Sequence, residues 1–144
     1  MNGLFLEDLT VGQSAELART VTGDDLVAFA AVTGDSNPVH LDEAYAASTP
    51  FGGRIAHGML SAGYISAVIG TRLPGPGAIY VSQSLKFRRP VKIGDTVVAR
   101  AEITAIDFGR GRVTLKTVCS VAGKAVVEGE AEIMVPRRDA ARSA

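Results

Sequence analysis

The sequence predicts an α+β fold in which an antiparallel sheet wraps one long central helix. Three observations carry this expectation. The stretch from Ile55 to Thr71 contains no lysine, arginine, aspartate or glutamate, as a helix buried on most of its surface requires. Four later segments are rich in valine, isoleucine and threonine, the residues that favour pleated strands. Short glycine-containing turns separate the last three of these, so they should pair as a meander.

Taken in order, Ala15 to Val21 alternates weakly and ends in a β-branched residue, which predicts a short strand. Thr22 precedes Asp25 at capping-box spacing, so a helix should begin there. Leu26, Phe29, Ala30 and Thr33 recur at helical spacing, and Gly34 stands where the chain must turn left-handed to leave the helix. Asp35-Ser36-Asn37-Pro38 then reads as a sharp, ordered loop, because proline bars helix continuation and pushes Asn37 towards an extended backbone. A short helical piece is expected from Asp42 to about Ala47, and loop from Ser48 to Gly53.

The central helix should run from Ala56 to Ile69, with Met59, Leu60, Tyr64, Ile65, Val68 and Ile69 on one broad side. Gly58, Ala62, Ser66 and Gly70 form a stripe of small residues, and the absence of charge implies burial nearly all round. Strands are expected at Ala78 to Phe87, Thr96 to Phe108, Arg112 to Val121 and Lys124 to Met134, with turns at Phe108-Gly109-Arg110-Gly111 and Ala122-Gly123. Long antiparallel strands around one buried helix make the α+β arrangement called a hot dog.

A chain of 144 residues with 47% apolar and 21% charged residues fits one domain with a proper core, placed here at 1–136, followed by a flexible polar tail at 137–144. Fifteen basic and fifteen acidic side chains leave no overall field to recruit nucleic acid or an anionic membrane. Cys119 is the single cysteine, so no intrachain disulfide forms, and no Cys/His spacing supports a structural zinc site. Glu7 and Asp8 interrupt the apolar run an export signal needs, and Ile55 to Thr71 is too short to span a bilayer. The expected location is the cytoplasm. There is no internal repeat.

The chemistry-bearing candidates are few. His40 follows Asp35 by five residues across the Asn37-Pro38 turn, which can fold both side chains into one cleft for acid-base work. The alternative is an Asx turn at Asp35 and a surface histidine at His40. His57-Gly58 opens the central helix, where unpaired N–H groups and the helix dipole can hold an oxyanion. The alternative is a glycine that merely lets the helix cross the sheet closely. His57 itself could act as a base or as a satisfied structural group.

Phe29 to Phe51, FAAVTGDSNPVHLDEAYAASTPF, together with Ile55-Ala56-His57-Gly58-Met59-Leu60, resembles the MaoC-like family of (R)-specific enoyl-CoA hydratases. Gly34-Asp35-x-Asn37-Pro38-x-His40 is similar to that family's signature motif. Leu73-Pro74-Gly75-x-Gly77, Gln83-Ser84-Leu85-x-Phe87, Pro90-Val91 and Gly94-Asp95 look like its later segments. The resemblance covers nearly the whole chain. It implies that Asp35 and His40 form the catalytic pair, that the Gly58 N–H binds the thioester oxygen, that the Ser66 hydroxyl helps orient the pair, and that Asn37 supports the loop.

The implied reaction is reversible hydration of a trans-2-enoyl-CoA to the (R)-3-hydroxyacyl-CoA. Water adds its oxygen to the β-carbon and a proton reaches the α-carbon while negative charge builds on the thioester oxygen. Base, acid and oxyanion donor are therefore needed together. No cofactor or metal is expected, since the CoA thioester is the substrate. Lys86, Arg88 and Arg89 could meet CoA phosphates or form a solvated strand end. A homodimer is expected from the resemblance, with the acyl pocket at or near the subunit interface. Rival readings are a 3-hydroxyacyl-[acyl-carrier-protein] dehydratase, a hot dog thioesterase and a non-catalytic subunit of the same fold.

Overall fold

The computed structural model describes residues 3–139. After a single 3-10 turn at Leu6–Asp8, strand β1 (Ser14–Thr20) leads into helix α1 (Gly23–Thr33). The capping box forms as the sequence suggests: the Asp25 N–H donates to Thr22 Oγ1 at 3.2 Å and the Thr22 N–H to Asp25 Oδ2 at 2.9 Å. Gly34 closes α1 in the left-handed conformation, φ 82°, its N–H donating to Ala30 O. The expected loop after it is short. Asn37 is extended but caps a four-residue helix α2 (Pro38–Leu41), with Pro38 at its first turn where no N–H is required. Helix α3 (Glu43–Ala47) follows, capped by Asp42.

The central helix α4 spans Gly58–Thr71, starting two residues later than the spacing predicts because Ile55 bridges Lys92 and Ala56 donates its N–H to Val91 O, which hold the segment extended. The expected strand at Ala78 to Phe87 is two strands, β2 (Ile79–Gln83) and β3 (Lys86–Phe87). Between them Ser84 bonds Glu130 through both its N–H and its hydroxyl, and Gln83 donates to Ser84 O, which diverts the chain from regular pairing. Strands β4 (Thr96–Asp107), β5 (Arg112–Val121) and β6 (Lys124–Met134) form the expected meander. The sheet is antiparallel with order β1-β4-β5-β6-β2, and β3 pairs with β6.

Ile65, Val68 and Ile69 of α4 pack on the inner face of the sheet, where Val97, Ala99, Ala101 and Ile103 alternate along β4 and Val113, Leu115 and Cys119 along β5. Ala99 and Ala101 are small, which leaves room for the helix. This is the hot dog arrangement. The helix is not enclosed all round, however. Met59 is 55% exposed, and Gly63, Ser66 and Gly70 lie open, with no atom within 4 Å of where a Cβ would stand on Gly63 or Gly70. Lack of charge on this face therefore reflects something other than burial within the single chain. No helix among the described residues is long and apolar enough to cross a membrane.

The C-terminal segment that the sequence marks as loose is tied down as far as it is described. Leu6 donates its N–H to Pro136 O, Arg137 bonds Phe108 O, and Arg138 bonds Glu7 and Asp8. The remainder of that expected tail, 140–144, lies outside the described residues.

Candidate active site

Asp35 and His40 meet because the turn between them is short and capped. Gly34 reverses the chain, the Asp35 N–H donates to Thr33 Oγ1 at 3.1 Å, and the Asn37 side chain accepts from the Val39 N–H at 3.1 Å. Asp35 Oδ1 accepts the Asn37 N–H at 3.3 Å, so the Asx turn exists alongside any other use of the carboxyl. His40 is not a surface residue: it is 8% exposed.

The segment Arg54 to His57 runs beside this turn and clamps it. Arg54 Nε donates to His40 O at 2.7 Å, the Ile55 N–H donates to Val39 O, and His40 Nδ1 lies 2.7 Å from Ile55 O. A carbonyl oxygen only accepts, so His40 carries its proton on Nδ1 and in the neutral ring leaves a lone pair on Nε2. His57, the residue that caps α4, is 2% exposed. Its Nε2 lies 2.9 Å from Asp35 O, and its ring stacks on His40 at 3.7 Å between centroids, with Phe29 at 4.6 Å.

One oxygen of Asp35 and one nitrogen each of His40 and His57 fall within 4.8 Å of one another. Such a trio could in principle hold a metal ion, but the ring geometry fits it poorly. Imidazole lone pairs lie in the ring plane, and rings stacked at 3.7 Å and 27° keep those pairs in separate, roughly parallel planes, which disfavours convergence on one ion. His40 Nδ1 and His57 Nε2 are moreover already committed to carbonyls.

Gly58 is the first residue of α4, and neither its N–H nor that of Met59 has a partner among the described residues. A side chain here would collide with β3, since a Cβ on Gly58 would stand 2.7 Å from Phe87 Cε1. This glycine permits close packing against Phe87 and leaves two N–H groups unpartnered among the described residues, so neither reading of it excludes the other. His40, His57, Gly58 and Phe87 line a mainly apolar cavity of about 560 Å³ with Arg88 and Arg89 at its rim. Asp35 lines a second opening of about 600 Å³ with Ser66, Tyr80 and Gln83, and Met59 borders both.

The remaining sequence candidates divide. Ser66 lies on the Asp35 side but makes no hydrogen bond within the described chain. Arg88 is paired with Glu128 at 2.7 Å, and Arg89 donates to Ala125 O at 2.9 Å. Lys86 lines neither opening. Burial pushes the Tyr80 hydroxyl up to about 12, so it is a neutral donor, given to Gln83 Oε1 at 2.8 Å. Burial likewise raises Cys119 to about 12, which rules out a thiolate nucleophile near neutral pH. Phe87 and Ile55 fall in segments that carry the resemblance, but their contacts in the site join positions far apart in the chain and are not legible there.

The family model described as MaoC like domain matches residues 8–128. The chain is 58% identical over 134 residues to an (R)-specific enoyl-CoA hydratase of Rhodospirillum rubrum, covering 93% of each. It is 51% identical over 138 residues to a 3-hydroxybutyryl-CoA dehydratase of Methylorubrum extorquens, covering 96% of this chain and 88% of the other. Among solved structures it is similar to the unliganded R-hydratase PhaJ1 of Pseudomonas aeruginosa, with TM-score 0.90 and 52% identity over 94% of this chain and 88% of that one. Hot dog architecture, the turn that joins Asp35 to His40 and these matches along nearly the full length agree: the chain belongs to the MaoC-like family.

Proposed function

We propose that the protein is an (R)-specific enoyl-CoA hydratase, interconverting a trans-2-enoyl-CoA and the (R)-3-hydroxyacyl-CoA. The observation that carries the site assignment is the orientation of His40. With Nδ1–H fixed on Ile55 O, Nε2 is left as the acceptor of a ring that has a nitrogen within 4.8 Å of an Asp35 carboxylate oxygen. Stereochemistry and thioester type follow the named activities of the similar proteins.

In the proposed reaction a water molecule sits between Asp35 and His40. Nε2 of His40 takes one of its protons as the water oxygen bonds to the β-carbon. That proton passes by way of Asp35, on the other side of the water, to the α-carbon, so both side chains end the cycle as they began it. The electron pair of the double bond moves towards the thioester carbonyl, whose oxygen is stabilised by the Gly58 N–H and the dipole of α4. Asn37 keeps the turn closed, and Ser66 faces the Asp35 side. Neither metal nor redox cofactor enters these steps. Arg88 and Arg89, which line the cavity, suit the CoA phosphates, Arg88 only after yielding Glu128, whereas Lys86 does not line it.

Such chemistry works best with little water, yet Asp35 is exposed in the single chain. Its opening is bordered by the edge strand β2 and the charge-free stripe of α4. A second copy docked there would close the site, which supports a homodimer, and a cytoplasmic location suits the CoA substrate.

The test is the loss of enoyl absorbance with crotonyl-CoA, followed by chiral analysis of the product. Removing one acid-base group costs roughly 10²–10⁴ in rate, so Asp35→Asn and His40→Gln should each fall by that much. Wild-type turnover in either would overturn the assignment. Release of free thiol would indicate thioester hydrolysis instead.

A further inference from the structure

The proposed steps leave the most buried ionisable ring of the site without a task. His57 lies between Phe29 and His40, and its Nε2 faces the carbonyl of Asp35 at 2.9 Å. That carbonyl accepts only, so the proton sits on Nε2. Nδ1 is then a bare acceptor, buried and without a hydrogen-bond partner among the described residues. An unsatisfied buried acceptor is destabilising, and an apolar side chain would avoid it. Packing alone therefore does not account for an imidazole at this position.

Its contacts do. Asp35 is fixed at its N–H by Thr33 Oγ1 and at its carbonyl by His57, so both ends of that residue are held, and its carboxyl is turned towards the Asn37 N–H. His40 has one in-plane anchor, Nδ1–H on Ile55 O, about which the ring could still rotate. The face of His57 at 3.7 Å blocks that rotation. A neutral ring also suits this place, because His40 gains positive charge when it takes a proton from water, and a second cation stacked beneath it would oppose that step.

We infer that His57 is a positioning residue: neutral, with its proton on Nε2, it locks the Asp35 main chain and sets the plane of the His40 ring, acting through these two groups. The inference rests on the hydration reading above. The amide nitrogen of glutamine can reach the position of Nε2, whereas that of asparagine falls short, so three variants separate the bond from mere bulk.

A misplacement of about 1 Å can cost on the order of 10²-fold in rate. His57→Ala and His57→Asn should lose about 10- to 100-fold in kcat with KM within about 3-fold, and His57→Gln should recover at least about 5-fold over alanine. With Asp35→Asn already in place, His57→Ala should cost less than about 3-fold more, because the carboxyl that it positions through the main chain is gone. Thermal melts establish that each variant is folded. Independently of any variant, ¹⁵N spectra of the wild-type imidazoles should show His57 protonated on Nε2 and bare on Nδ1 at neutral pH. A proton on Nδ1, wild-type kcat in folded His57→Ala, or an undiminished loss in the Asp35→Asn background would each overturn the inference. Wild-type turnover in Asp35→Asn would remove the underlying hydration reading, a result distinct from failure at His57 alone.

Discussion

At Gly58 the missing side chain and the free N–H serve different ends, and a single substitution separates them. Gly58→Ala keeps the N–H but brings a methyl within 2.7 Å of the Phe87 ring. Phe87 is 55% exposed and can swing aside, so the fold survives, but the ring moves within the cavity that would hold the substrate. Since the donor is retained, the loss in kcat/KM should stay below the roughly 10²–10³ that follows removal of an oxyanion donor. About 10-fold is the expected loss, and adding Phe87→Ala should recover part of it in the same steady-state assay. Full activity in Gly58→Ala would show that Phe87 places no demand on the site.

The helix boundaries show which parts of the fold a sequence can announce. Thr22 and Asp25 cap α1 as their spacing suggests, because a capping box is made entirely of residues three apart. Thr22→Ala should lower unfolding free energy by about 1 kcal/mol, measured by denaturant melting, while leaving turnover intact. The Asp35-to-His40 turn is legible for the same reason of proximity. The division of one expected strand into β2 and β3 is not, because it depends on Ser84 meeting Glu130 across the sheet. Nor is the clamp of Ile55 and His57 on the turn, which joins residues 15 and 22 positions apart. Pro38 misleads in a different way: proline stops a helix from its interior but suits its first turn, and residue type alone does not say which position it occupies.

On the scale of the whole molecule, the uncharged face of α4 and the edge strand β2 belong together. Ile79 and Val81 are 57% and 41% exposed on an edge whose backbone groups can pair with another strand. Met59 adds to the same apolar region. The sequence correctly marks α4 as a helix that avoids charge, but burial by its own sheet and burial by another copy leave the same signature. Sedimentation should therefore give a dimer, and Val81→Lys should shift it towards monomer while lowering turnover, since Asp35 would remain open to solvent. A wild-type monomer with full activity would overturn the homodimer.

The two histidines are held by main-chain oxygens, His40 by that of Ile55 and His57 by that of Asp35. A backbone carbonyl is supplied by every amino acid, so the tautomer of His40 does not depend on which side chain occupies position 55. Mutational drift there can reshape the cavity wall, and with it the acyl groups that would fit, while the proposed acid-base pair stays in register. The site thus separates what can vary from what must persist, leaving a route by which substrate preference diverges without passing through an inactive ancestor.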